Sequence, residues 1–261
     1  WVLDPVENVS FLPWLTSTAF LHSVMMQEKK GMMKIWNIVL VASTFFLCIF
    51  GTFMTRSGLV ASVHAFATSD IGKYFLVFLT AGIAFTIYMI LGRLDYLKSE
   101  SELESVVSRE SSFLFNNLVL LACCFATLWG TLFPVISEAI SGEKVSVDAP
   151  WFNRINIPIG LFLLFLTGVG PLLAWRRASA ESIKRNFLAP FLAMLVLMAG
   201  LAVAGVQHFF ALTTFGLCVF VAWTIAAEFW KGAGAISRKE SIGLVPAMIA
   251  LTHRNTRRYG G

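Results

Sequence analysis

From residue 9 onward the chain alternates long apolar runs with short polar breaks. The runs occupy residues 9–27, 35–55, 72–92, 112–136, 155–175, 187–206 and 208–229. Each is close to the ~20 residues that carry an α-helix through the hydrocarbon core of a bilayer. A helix satisfies its own backbone donors and acceptors, which is what crossing a water-free layer requires. The pattern therefore predicts an all-α protein, a polytopic transmembrane helical bundle of about seven spans. The last two runs are separated by little more than Gly205 to His208, which predicts a tight helical hairpin. The polar stretch 94–111, LDYLKSESELESVVSRES, reads as a solvated linker or a short surface helix. Residues 231–261 are basic and only weakly apolar around 242–251, as expected of a helix lying at the membrane surface. The chain thus divides into a transmembrane domain, 1–230, and a basic cytoplasmic or interfacial segment, 231–261, leading toward a further span. No internal repeat stands out.

Composition agrees with this division and removes some alternatives. Only 13% of the 261 residues are charged and 57% are hydrophobic, against about 25% charged in an ordinary soluble domain. Little chain is left over for a separate water-soluble domain. The net charge of +5 raises the question of nucleic acid, but the bases sit beside apolar runs and form no basic face, so no nucleic-acid partner is expected. They read instead as topology signals. Sixteen of the twenty Lys and Arg residues fall in one alternating set of breaks, among them Lys29, Lys30, Arg93, Arg176, Arg177, Lys231 and Arg238. The other four are Arg56, Lys73, Lys144 and Arg154. Because basic residues near span ends stay on the cytoplasmic side, the N-terminal Trp/Asp segment, within 1–14, the 56–71 loop and the 137–154 loop are expected on the opposite face. The four cysteines, Cys48, Cys123, Cys124 and Cys218, form no CxxC and no metal-type spacing and read as small core residues. Residue 1 is not methionine and no leader pattern precedes the first run, so the chain is expected to begin inside a longer protein.

The densest chemistry is at the start, WVLDPVENVSFLPWL. Taken locally, Asp4 can cap a helix, Pro5 suits its first position and Glu7 completes a capping box. Trp1 and Trp14 suit a membrane interface, where an indole has an apolar body and one N–H donor. That reading leaves unexplained why Trp1, Asp4, Glu7, Asn8 and Trp14 gather at the mouth of one span. His22 lies eight residues beyond Trp14 on the same helix, roughly on its side, and an ionisable group inside a membrane is a candidate for function by default. It can equally be a hydrogen-bonded packing histidine. His64, in GLVASVHAFATSD, lies in an apolar stretch on the non-cytoplasmic face and is either a ligand or a structural loop residue. His208 and His253 read as interfacial or solvated, Glu228 as a residue snorkelling to the interface, and the nine methionines as packing.

Trp1-x-x-Asp4-Pro5-x-Glu7-Asn8, with Pro13-Trp14 and His22 following, resembles the latter part of the tryptophan-rich WWD motif of the haem-handling protein superfamily. Within it, the segment is similar to the CcmF-type cytochrome c haem lyases, including their NrfE branch. Further likenesses lie at 51–58, at Ser62 to Phe66, at Pro150 to Arg154, at Gly168 to Leu172 and at Arg257 to Gly261, so the resemblance covers essentially the whole chain. The resemblance implies that His64 is one axial ligand of an outer haem, which is a transient substrate, and that His22 ligates a permanently held haem b within the membrane. The second ligand of each haem would fall outside this chain. It implies that Trp1, Asp4, Glu7, Asn8 and Trp14 wall the outer haem, and that Arg56 either pairs a propionate or serves as an interfacial anchor.

The implied function is cytochrome c-type biogenesis: covalent attachment of haem to the CxxCH thiols of apocytochrome c on the periplasmic face of a bacterial inner membrane. The chain would act as part of a holocytochrome c synthase, and this stretch alone is not expected to be active. The implied partners are a haem chaperone, apocytochrome c, and thiol-reducing and apocytochrome-binding assembly subunits, all at the lipid bilayer. A transporter or channel for haem or another solute is the rival from a different class, although the repeats and broken helices common there are not evident. A purely structural membrane subunit is the third.

Overall fold

The computed structural model describes residues 3–59, 70–99, 109–170, 180–254 and 256. Among these are eight helices: α1 Pro5–Lys30, α2 Lys34–Ser57, α3 Ile71–Leu91, α4 Arg109–Ser141, α5 Ala149–Val169, α6 Ala180–Val203, α7 Phe209–Glu240 and α8 Leu244–Arg254. They form two compact units, one of Trp1–Glu104 with Phe113–Gly160 and one of Ser105–Ser112 with Leu161–Gly261.

Six helices, α2 to α7, are long and apolar enough to cross a membrane. The protein is a multi-pass membrane protein. The first apolar run also becomes a helix, and its 26 residues reach about 39 Å, but it is less apolar than the rest. The reason lies in what surrounds it. A helix facing lipid must be apolar all round, whereas one wrapped in protein can carry polar side chains that find partners. Val9, Leu12, Thr16, Ala19, Ser23 and Met26 are all buried along α1, a seam at alternating three- and four-residue spacing. On α3, by contrast, only Gly72 and Leu79 are buried.

That seam faces α2. The hairpin closes through Gly31, whose φ of 63° is the left-handed conformation that favours glycine and whose N–H donates to the Gln27 carbonyl at 2.9 Å. The two helices then run antiparallel in a register that three contacts fix. Val9 sits against Gly51, the Thr16 and Thr44 hydroxyls are 2.8 Å apart, and Ser23 Oγ donates to Asn37 Oδ1; in each pair the residue numbers add to 60. Asn37 Nδ2 also donates to Gln27 Oε1 at 2.6 Å. This ladder of small and polar residues is the kind of interface that holds helices together in lipid, where apolar surface gives no preference for a neighbouring helix over an acyl chain. α3 returns beside α2, with Gly82 at the Phe46 ring; a Cβ there would lie 2.7 Å from Phe46 Cε1.

Elsewhere in the first unit, Gly130 of α4 accommodates the T-shaped pair Trp151 and Phe152 of α5; a Cβ on Gly130 would lie 2.5 Å from the indole. α5 starts at Ala149, six residues before the apolar run that predicted it. The start is early because Pro150 suits the first turn and the Asp148 carbonyl accepts from Trp151 N–H at 3.0 Å.

In the second unit, α6 and α7 form the predicted hairpin. Val206 N–H donates to the Leu201 carbonyl at 3.0 Å and Gly205 adopts a φ of 101°, a glycine-dependent stop. Gly168 packs on Phe220 and Gly216 on Met198. α7 continues to Glu240, eleven residues past the end of its apolar run, because α8 folds back on that extension. Ala233, Ala247 and Leu251 are buried between them, Ser237 Oγ donates to the Ile242 carbonyl at 2.7 Å, and Arg254 pairs with Glu240 at 2.6 Å. At 11 residues, or about 16 Å, α8 is too short to cross a bilayer; it occupies the weakly apolar stretch around 242–251. Of the stretch 94–111 expected to be a linker or surface helix, 100–108 lie outside the described residues; 92–97 are turns and 109–111 begin α4.

One reading of the cysteines needs correction. Cys123 and Cys124 are buried as expected, but Cys48 and Cys218 are exposed on the outside of the helices. Apolarity cannot separate a core-facing from a lipid-facing position, because both surroundings accept the same side chains.

Candidate functional site

The start of α1 folds as its residues dictate. Glu7 N–H donates to Asp4 Oδ1 at 2.8 Å and Asp4 N–H to Glu7 Oε2 at 2.9 Å, a complete capping box with Pro5 in the first turn. Both carboxylates are therefore engaged in starting the helix. Ionised carboxylates only accept hydrogen bonds, so neither suits direct contact with an anionic group such as a haem propionate. A cation does. The α1–α2 register brings Arg56, in the last turn of α2, level with Asp4 at this same end of the hairpin.

The remaining predicted residues separate into two rows of α1. Glu7, Trp14 and Leu21 recur every seven residues and are all exposed, and Trp14 stacks on Phe11 with centroids 5.4 Å apart and planes 17° from parallel. Asn8, Leu15 and His22 form the neighbouring row, about 80° around the helix from Trp14 to His22 at 100° per residue. Asn8 and Leu15 are buried and His22 half-buried. Sequence spacing placed Trp14 and His22 roughly on one side; the structure shows the first turned outward and the second inward. Trp1 and His64 lie outside the described residues.

His22 sits about 12 Å from the end of α1 that carries Lys29 and Lys30, and its neighbours come from α4. Asn116 Nδ2 is 2.6 Å from His22 Nδ1, and the Phe113 ring lies 6.0 Å from the imidazole, tilted by 31°. Phe113 and Asn116, three residues apart on α4, share one helix face. Asn116 escaped the sequence reading. Its signal was present in FLFNNLVLLACC, where two adjacent amides interrupt an apolar run, and polar groups within spans are retained for a reason. The adjacent Asn117 is fully buried, with neither amide atom hydrogen-bonded among the described residues.

The donor set fits a haem better than a metal site built by protein alone. Among the described residues no three His, Cys, Asp or Glu side chains converge. Haem asks for less, since its ring holds the iron equatorially and the protein adds one or two axial ligands. With Nδ1 facing Asn116, Nε2 is the nitrogen of His22 that an axial bond would use. A cavity of about 590 Å³ in the same unit is a separate feature, lined by apolar side chains such as Phe46, Ile83 and Leu128, with no histidine. Of the other histidines, His208 caps no donor at the start of α7 and rests 6.1 Å from Phe210, and His253 is exposed in the last turn of α8.

Comparison with known proteins decides what this arrangement belongs to. The family profile described as Cytochrome C assembly protein matches residues 1–61, a range that includes α1 and α2. Over 88% of its length the chain is 38% identical to the cytochrome c-type biogenesis protein CcmF of Pseudomonas aeruginosa, covering 35% of that protein. It is 40% identical to the cytochrome c-type biogenesis protein CycK of Bradyrhizobium diazoefficiens, over 76% of this chain and 30% of the relative. The solved cytochrome c heme lyase CcmF superposes on 96% of the chain with a TM-score of 0.69 and 29% identity, 38% of the solved chain being matched. The chain belongs to the CcmF-type family of cytochrome c biogenesis proteins. It spans about a third of the length of the CcmF and CycK relatives it matches. These relatives carry biogenesis and haem-lyase names, which favours that class over a solute transporter.

Proposed function

We propose that this chain forms part of a haem lyase, with α1 as the helix on which two haem environments are organised. The single observation that supports this most is His22: an imidazole on a helix beside apolar spans, its Nδ1 2.6 Å from the Asn116 amide, which leaves Nε2 as the nitrogen that an axial bond would use. On this reading His22 is one ligand of a haem b within the membrane. When bound, that haem supplies a one-electron couple that keeps the outer haem reduced.

The outer haem is substrate. Its proposed site is the opposite end of α1, facing the periplasm of a bacterial inner membrane, with Trp1 and Trp14 offering aromatic surface, Asn8 buried on the neighbouring row, and His64 an axial bond. Asp4 and Glu7 act there by fixing where α1 begins. Arg56, level with Asp4, is the group suited to a propionate. In the attachment reaction each cysteine thiol of an apocytochrome CxxCH segment adds across one vinyl group of the ring. An S–C bond forms, the thiol hydrogen passes to the other vinyl carbon, and no net electron is exchanged. The protein's share is orientation and control of the iron's state, because the ring carries the reactivity. A haem chaperone, apocytochrome c and thiol-reducing and apocytochrome-binding subunits complete the proposed assembly. Residues 1–230 form its transmembrane haem-handling part and 231–261 its cytoplasmic-side segment.

The test is to purify the native membrane protein, record its absorption spectrum, and repeat with His22→Ala and His64→Ala while measuring cytochrome c maturation in cells. Haem in the purified protein, its loss with His22→Ala, and failed maturation with either variant are expected. Unchanged haem content together with normal maturation in both variants would sink the proposal.

A further inference from the structure

The contact between His22 and Asn116 constrains which form of the imidazole can bind iron. As placed, the Asn116 amide nitrogen faces Nδ1 at 2.6 Å. An N–H donor there matches the tautomer whose proton is on Nε2, and a protonated Nε2 has no lone pair to give. Ligation through Nε2 needs the other tautomer, with its proton on Nδ1 and an acceptor opposite. Asn116 can supply that acceptor without moving its backbone. Half a turn about its terminal torsion exchanges Nδ2 for Oδ1, since the two atoms occupy nearly equivalent positions. Among the described residues no other side-chain hydrogen bond holds this amide, so the turn breaks nothing else. Phe113, from the same face of α4, lies beside the ring with centroids 6.0 Å apart.

We propose that Asn116 is the positioning residue for His22: its carboxamide oxygen accepts from Nδ1–H, fixing the tautomer, the ring orientation and the donor strength of Nε2 toward iron. This rests on the reading of His22 as a haem ligand. The physical basis is general, because a metal-binding histidine is tuned by whatever its second nitrogen donates to. A neutral amide acceptor sets an intermediate basicity. A carboxylate there would draw the Nδ1 proton more strongly, enrich Nε2 and favour ferric iron. An apolar side chain would do the reverse and would also free the ring to turn.

The experiment uses the native protein purified in detergent, with Asn116→Asp, Asn116→Leu and His22→Ala, reading haem-to-protein ratio, absorption spectrum and reduction midpoint. Asn116→Asp should retain haem with a midpoint shifted to lower potential. Asn116→Leu should weaken haem retention by roughly 10- to 100-fold and shift whatever haem remains to higher potential. Asn116→Ser, with a shorter and weaker acceptor, replaces either variant that fails to accumulate and should shift the midpoint as Leu does. A merely packing role for Asn116 leaves the midpoint of haem-loaded variants where it is, and that outcome overturns the inference. His22→Ala separates the two readings. If it keeps its haem and spectrum, His22 is not a ligand and both fall. If it loses haem while the Asn116 variants keep the wild-type midpoint, the ligand reading stands and the role of Asn116 does not.

Discussion

Replacing Asn37 tests the central claim about how α1 is held, namely that a polar ladder and not apolar burial sets its register on α2. Asn37 is buried, shares a hydrogen bond with Ser23 and donates to Gln27 Oε1 at 2.6 Å. Asn37→Leu keeps the volume similar and removes the two close interhelical bonds, to Ser23 Oγ and Gln27 Oε1, along with a long one to the Ser23 carbonyl at 3.5 Å. Hydrogen bonds between membrane helices are worth about 0.6 kcal/mol each on average and up to about 1.7, so the loss should be about 1 kcal/mol and not above about 3. It stays small because Ser23 can turn its hydroxyl to a carbonyl of its own helix. The assay is reversible unfolding in detergent micelles, run as a double-mutant cycle with Ser23→Ala so that the shared bond is isolated from each side chain's own effect. A coupling near 0.6 kcal/mol supports the ladder. Zero coupling, or a variant more stable than wild type, would show that apolar packing decides the register and that the polar pairs are incidental.

Other predictions test separate parts of the structure. In a cysteine-free background, Val9→Cys with Gly51→Cys should crosslink under mild oxidant, since the antiparallel register brings these positions together; Val9→Cys with Met54→Cys, one turn out of register, should crosslink far less. Gly130→Ala should destabilise the protein by about 1–3 kcal/mol because its Cβ would meet Trp151 and Phe152, while Gly160→Ala, with open space beside it, should leave the detergent melting curve unchanged. Asp4→Ala should cost about 0.5–2 kcal/mol through the lost cap, and Asp4→Asn much less; equal losses would mean that charge and not capping is what Asp4 contributes. Arg56→Gln should weaken retention of added haem more than Arg56→Lys does, read by haem titration of the native protein, if a bidentate propionate contact is made there.

Much of this protein is legible without its structure. The lengths of the apolar runs and their polar breaks settle that the chain is a helical membrane protein, because a bilayer admits few other solutions. The hairpin at Gly205 and the capping box at Asp4 and Glu7 are equally local, depending on residues a few positions apart. What the sequence could not supply is which side of each helix faces protein. Cys48 and Cys123 sit in equally apolar surroundings, yet one is exposed and the other buried, since lipid and protein core present the same solvent to a side chain. The same ambiguity placed Trp14 and His22 roughly on one side of α1. Only the packing of α1 on α2 and α4 gives them different neighbours. The sequence alone determined that a histidine lies within the first apolar run. That Nδ1 of this histidine meets an amide 94 positions away was decided by tertiary structure, because a hydrogen bond across two helices depends on their relative rotation, which no periodicity within either helix encodes.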